Sequence, residues 1–172
     1  MSARVELLTL DQDEWQSLGA DPADFAGRRG LLLGDQVGAL REVGAATAAF
    51  LARVGGEARW GCFLAMDPVS RLVVGTCSYK GPPDAEGAVE IAYWTLPVYQ
   101  GRGYATAMAA LLIAGAGTPP PARTVRAHTL PERNASVRIL EKLGFAHLGQ
   151  VVDPEDGPVW RWERVPGGSS PA

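Results

Sequence analysis

The sequence is poor in the residues that build metal sites and disulfide frameworks. Cys62 and Cys77 stand singly in β-prone runs, with no CxxC neighbour, and the histidines are His128 and His147 alone. Neither a cystine scaffold nor a structural zinc site can be assembled from that set, so no metal is expected and both thiols read as buried packing groups. Long apolar runs are missing as well. The longest, Ala107 to Ala116, is about half the length that crosses a bilayer. The opening residues Met1-Ser2-Ala3-Arg4-Val5-Glu6 lack the apolar core of a signal peptide. The expectation is a cytoplasmic protein without membrane attachment, in which the glycosylation sequon Asn134-Ala135-Ser136 carries no weight. Clusters of Lys or Arg are absent too. With a net charge of −3 and a pI near 5.4, nothing suggests a nucleic-acid or anionic-membrane surface. No internal repeat, heptad pattern or long linker divides the chain.

What remains is an ordinary globular composition, 47% hydrophobic and 20% charged over 172 residues, enough for one core and one domain. That domain is expected to span residues 1–165, with residues 166–172 a disordered C-terminal tail too small and polar to pack. Val5 to Leu8 reads as a short strand, and Asp11 as the cap of a brief helix holding Trp15 and Leu18. Residues 20–30 read as a loop. From Arg41 to Val54, Val43, Ala46, Phe50, Leu51 and Val54 recur at helical spacing. Trp60 to Met66 and Leu72 to Tyr79 are β-rich and joined by the turn Asp67-Pro68-Val69-Ser70, which predicts an antiparallel hairpin. A third β-rich run, Val89 to Leu96, is followed by a glycine loop and an Ala- and Leu-rich helix from Tyr104 to about Ala114. Thr124 to His128 is a short strand. Ala135 to Leu143 is a helix stopped by Gly144, and Phe145 to Val152 and Val159 to Val165 are closing strands.

The glycine loop Tyr99-Gln100-Gly101-Arg102-Gly103-Tyr104-Ala105 stands where a strand hands over to a helix. Free N–H groups of the first helical turn and the helix dipole converge there, which suits an anion. Gly101 and Gly103 lack a Cβ, so main chain can come close to phosphate oxygens. A dinucleotide fingerprint is a poor fit: Thr106 occupies the position of its third glycine, and the loop comes late in the chain rather than after a first strand.

The run from Val89 to Ala105, in which Gln100, Gly103 and Ala105 satisfy the pattern Gln/Arg-x-x-Gly-x-Gly/Ala, resembles the fourth strand and pyrophosphate loop of the GCN5-related N-acetyltransferases, the GNAT family. Downstream, Asn134-Ala135-Ser136-Val137-Arg138-Ile139-Leu140-Glu141-Lys142-Leu143-Gly144-Phe145 resembles that family's last helix, notably in its ribosomal-protein alanine acetyltransferase-like branch. The resemblance covers about residues 60 to 164. It implies an α/β (α+β) fold of the GNAT type: a single mixed, mostly antiparallel sheet splayed between strands four and five, with helices on both faces. It implies acetyl-CoA as co-substrate, an amine as acceptor, and a monomer or homodimer. Onto this sequence it maps main-chain contacts to pantetheine and thioester at Tyr93 and Thr95. Gln100, Gly101, Arg102, Gly103, Tyr104, Ala105 and Thr106 become the pyrophosphate cradle, and Asn134 a further cofactor contact.

Acetyl transfer to an ammonium needs a base, a group to stabilise the tetrahedral oxyanion, and a proton for the leaving thiolate. Glu90, a carboxylate inside an apolar run, and His128, at the end of the next strand, compete for the base. A salt-bridged sheet residue and a satisfied rim histidine are the plainer alternatives. For the acid, many family members carry a Tyr in the last helix where this chain has Leu140, whereas Ser136 matches the serine that the alanine acetyltransferase-like branch is proposed to use. Helix capping is the competing use of that serine. The missing phenol keeps a second class open, an acyl-CoA-binding or regulatory module without turnover. Trp60, Trp94, Trp160 and Trp162 read as core residues, and Asp153-Pro154-Glu155-Asp156-Gly157 as an acidic turn in which Glu155 would attract a cationic amine if it faced the acceptor.

Overall fold

In a computed structural model of the chain, which describes residues 3–55 and 57–167, seven strands form one sheet in the order β1-β2-β3-β4-β5-β7-β6. The strands are β1 (Glu6–Thr9), β2 (Cys62–Met66), β3 (Val73–Tyr79), β4 (Ala88–Thr95), β5 (Thr124–Thr129), β6 (Ala146–Asp153) and β7 (Gly157–Arg164). Among the described residues five α-helices accompany them: α1 (Gln12–Ala20), α2 (Pro22–Arg29), α3 (Val37–Val54), α4 (Tyr104–Ala116) and α5 (Ala135–Lys142). Of the tail expected to be disordered, residues 168–172 lie outside the described residues.

Residues 20–30 are a correction to the sequence reading, because they form α2 rather than a loop. Asp21 caps that helix by accepting from the Asp24 N–H, Pro22 fills its first turn and Gly30 ends it in the left-handed region. Eight residues with three buried apolar side chains, Pro22, Phe25 and Ala26, give too short a repeat to show as periodicity. Helix α3 also begins earlier than expected, at Val37.

Two cores lie against the sheet. Leu64, Met66 and Val73 belong with Trp15, Leu18, Phe25 and Leu40 of α1–α3, whereas Ala65, Val74, Cys77, Val89 and Ile91 belong with Met108 and Leu112 of α4 and Val137 and Leu140 of α5. The strand pairing explains how β3 serves both. Ala65 faces Gly75 but Met66 faces Val73, so Val74 is an extra residue that turns the strand over. Beyond this bulge Gly75, Cys77 and Tyr79 lie opposite Thr95, Tyr93 and Ile91 of β4.

All neighbouring strands are antiparallel except β4 and β5. That parallel pair holds for three positions, Ala88 to Thr124, Val89 to Val125 and Glu90 to Arg126, after which the strands part. Arg126 marks the fork, clamped by Glu163 at 2.8 Å and Asp84 at 3.1 Å. The sheet is thus splayed between its fourth and fifth strands.

Candidate active site

From Ile91 to Thr95, β4 is paired with β3 on one edge only. The Glu90 carbonyl accepts from the Lys80 N–H and the Leu96 N–H donates to the Val74 carbonyl, both towards β3. In an extended strand successive main-chain groups alternate, so those of Ile91, Tyr93 and Thr95 point into the splay. The Thr95 carbonyl accepts at 3.2 Å from the side-chain amide of Gln100. Its hydroxyl is buried without a partner.

Gln100 also begins the turn into α4. Gly101 and Gly103 adopt φ of 74° and 88°, the left-handed region, and Gly103 is the N-cap of the helix. α1, α2 and α5 are capped by Asp11, Asp21 and Asn134, but α4 has no side-chain cap and no acidic residue in its first turn. Its leading N–H groups are therefore left for a ligand. Tyr104 is held from the side, its hydroxyl donating to Asp67 at 3.0 Å.

A cavity of about 440 Å³ follows these groups, lined by Tyr93, Thr95, Gln100, Gly101, Gly103, Tyr104, Ala105 and Thr106 on one side and by Ser136, Arg138 and Lys142 of α5 on the other. Two of the expected cofactor residues stand elsewhere. Arg102 lies over the Tyr99 ring with its guanidinium carbon 5.7 Å from the centroid and does not line the cavity. Asn134 is likewise outside the lining; its carboxamide oxygen accepts from the Val137 N–H at 3.1 Å, so the helix cap is Asn134. Ser136, by contrast, lines the cavity.

A second cavity of about 400 Å³ opens beside the first, lined among others by Lys80, Glu90, His128, Leu130, Asp156 and Val159. Glu90 and His128, alternatives in the sequence, are partners here: one carboxylate oxygen of Glu90 lies 3.0 Å from His128 Nδ1 and 2.7 Å from Lys80 Nζ. An ionised carboxylate at Nδ1 is an acceptor, so Nδ1 carries a proton, and Nε2 is the basic nitrogen of the neutral imidazole. Burial alone would lower the Lys80 pKa, but the hydrogen bond and charge of Glu90, with Asp153 and Asp156 further off, push it up. The acidic turn does face this cavity, through Asp156 rather than Glu155.

Among the described residues the two cavities share Tyr93 and Ser136. Burial pushes the Tyr93 phenol up to about 12, against a smaller downward pull from a hydrogen bond with Ser136. Trp60 and Trp162 are core residues as expected, but Trp94 is 38% exposed and lines the first cavity. Sequence reasoning missed Lys80, Arg138 and Lys142. The last two are an i, i+4 pair on the polar stripe of α5, a visible spacing whose meaning depends on what that stripe faces.

The acetyltransferase (GNAT) domain family matches residues 10–146. The chain belongs to the GNAT acetyltransferases. Its co-substrate is accordingly acetyl-CoA and its acceptor an amine. A search of curated proteins returns no match. Among solved structures this acetyltransferase is similar to a GNAT-family acetyltransferase from Bacillus anthracis, at 15% identity and TM-score 0.64 over 98% of both chains. It is also similar to a variant of spermidine N-acetyltransferase from Vibrio cholerae, at 15% identity and TM-score 0.63 over 95% of both chains. A third is the ribosomal L7/L12 alpha-N-protein acetyltransferase in complex with coenzyme A, at 16% identity and TM-score 0.63 over 95% of both chains. At these identities the likeness is one of fold. No helix among the described residues is long and apolar enough to cross a membrane, and no group of metal-ligating side chains occurs among them.

Proposed function

We propose that this enzyme acetylates its acceptor by direct attack of the amine on acetyl-CoA, with His128 as general base, Glu90 orienting it and Ser136 facing the leaving sulfur. The observation that carries this reading is the meeting of two cavities. One fits the pantetheine and pyrophosphate of the co-substrate, with the free edge of β4 on one wall and the uncapped turn of α4 on another. The other presents His128, held through Nδ1 by Glu90, whose charge is shared with Lys80.

An ammonium entering the second cavity gives its proton to His128 Nε2, and the neutral amine then reaches the thioester at the junction. Glu90 keeps the imidazole in the competent tautomer and stabilises the imidazolium that forms. Asp156, in the lining of the same cavity, favours a cationic acceptor over a neutral one. The branch resemblance around Ser136 points to the N-terminus of a peptide, and the fold shared with a ribosomal-protein acetyltransferase supports it. The fold shared with a spermidine acetyltransferase keeps polyamines in the same test.

That test is release of free thiol from acetyl-CoA with a panel of peptides beginning in Ala or Ser, amino acids and spermidine, products being read by mass. Turnover with at least one is expected. His128→Ala should lower kcat about 10²- to 10⁴-fold, the usual contribution of a general base, and leave acetyl-CoA affinity unchanged. Tight acetyl-CoA binding with no thiol released for any amine would instead assign the chain to the acyl-CoA-binding modules without turnover.

A further inference from the structure

The phenol that α5 lacks at Leu140 is brought to the site by another element. Tyr93 projects from the unpaired stretch of β4 and lines both cavities together with Ser136, the only other described residue common to them. The Ser136 hydroxyl is near enough to pull the phenol's pKa down against the larger upward push of burial. Ser136 is not committed to capping α5, because Asn134 performs that task. Ser136 thus stands beside Tyr93 on the wall of the cavity that fits pantetheine. We propose that Tyr93 is a positioning residue for the leaving group: it supplies, through Ser136, the proton that the departing CoA thiolate takes up.

The steps balance. The amine nitrogen forms its bond to the thioester carbonyl carbon, and the C–S bond then breaks with its electron pair remaining on sulfur. Sulfur takes the proton of Ser136 Oγ while Ser136 takes that of Tyr93 Oη in one concerted movement. The ammonium's first proton passes by way of His128 to solvent before attack. The second, shed by the nitrogen as the amide forms, is taken up by His128 and passed to Tyr93 across the second cavity, whose wall includes both side chains, so that the reaction releases one proton to solvent. No proton is gained or lost from the protein over the cycle. Burial suits the phenol to this part, since a hydroxyl held up near 12 stays protonated throughout the neutral range and remains a donor.

The inference rests on the acetyl-transfer roles given above, and its test is chosen to be readable without an acceptor. Coenzyme A is bound to the wild type and to Tyr93→Phe, Ser136→Ala and the double variant, and the thiol of the bound CoA is titrated by its thiolate absorbance. A donor chain aimed at sulfur stabilises the thiolate. Each single variant should therefore lower the thiolate-to-thiol ratio at fixed pH by about tenfold, as for loss of a hydrogen bond to a charged group. The double variant should lower it no further than either single, because the two residues act in series. Urea midpoints and CoA affinities measured alongside show that the variants are folded and loaded. A shift with Ser136→Ala but none with Tyr93→Phe would overturn the proposal, as would a double variant equal to the sum of the singles. Failure of the whole acetyl-transfer reading shows separately, as absence of thiol release from acetyl-CoA in the wild type.

Discussion

At Gly103 the chain takes φ of 88° and ψ of 0°, a conformation an L-residue reaches only with strain. A Cβ built there meets little, the nearest atom being Ala3 Cβ at 3.5 Å, so the cost of a side chain comes from the backbone angle and not from crowding. That strain is about 1–3 kcal/mol, and the branched side chain of Gly103→Val adds a barrier between main chain and phosphate. Arg102 is exposed and turned onto Tyr99, so the charge it offers is a solvated one, worth roughly 0–1 kcal/mol. Gly103→Val is therefore expected to weaken acetyl-CoA binding by about ten- to a hundredfold, and Arg102→Ala by a fewfold at most. Calorimetric titration of acetyl-CoA into both folded variants decides the order. An equal or larger loss for Arg102→Ala would move the recognition of pyrophosphate from the backbone to the side chain.

Between elements, two close approaches do different jobs. α1 and α3 cross where Gly19 and Gly44 let their backbones touch: a Cβ on Gly44 would stand 2.6 Å from the Gly19 nitrogen. β3 and β4 touch at Gly75, where a Cβ would lie 2.1 Å from the Trp94 carbonyl oxygen and 3.0 Å from Thr95 Cα. Neither contact can be relieved by turning a side chain, so each substitution must move an element, at about 1–3 kcal/mol or more. Gly44→Ala pushes α1 away from α3, on the side of the sheet opposite α4 and α5, and should lower the urea midpoint while leaving acetyl-CoA affinity within about twofold. Gly75→Ala displaces the end of β4 whose free edge faces the cofactor cavity, and should lower both. The pair of measurements separates the N-terminal core from the site, and a loss of affinity in Gly44→Ala equal to that in Gly75→Ala would show the two to be one cooperative unit.

Over the whole molecule, burial of weak acids sets an alkaline limit to stability. Cys77 and Tyr79 lie in the core under α4 and Tyr93 between the cavities, and desolvation pushes all three to about 12, from 9.0 for the thiol and 10.0 for each phenol. Their folded pKa values are raised, so above the unfolded values the unfolded chain releases protons that the native chain retains. The stability tied to these groups is intact below pH 9 and is lost progressively as pH rises towards 12. Urea midpoints should be level on the neutral side of that limit and fall steeply beyond it. The phenolate absorbance of Tyr79 and Tyr93 should develop with unfolding rather than before it. Two phenols titrating freely at pH 10 in the folded protein would contradict the burial assigned to them.

By itself the sequence determined the parts that rest on local rules. Alternation in β4, the helical spacing in α3 and α5 and the glycines of the pyrophosphate loop are each written within a dozen residues, and the loop with the last helix sufficed to place the chain in its family. The tertiary structure decided whatever depends on residues far apart in the chain. Asn134 and Ser136 both suit a helix cap, and the bond from the Val137 N–H settled the choice. Glu90, His128 and Lys80 stood as separate residues until the strand register, β3 against β4 and β4 against β5 for only three positions, set them within hydrogen-bond reach. The junction at Tyr93 and Ser136 exists because β4 and β5 part after Glu90 and α5 crosses the gap. Periodicity says which face of a strand is apolar, whereas pairing register and splay are set by contacts between elements, and the site is made of those contacts.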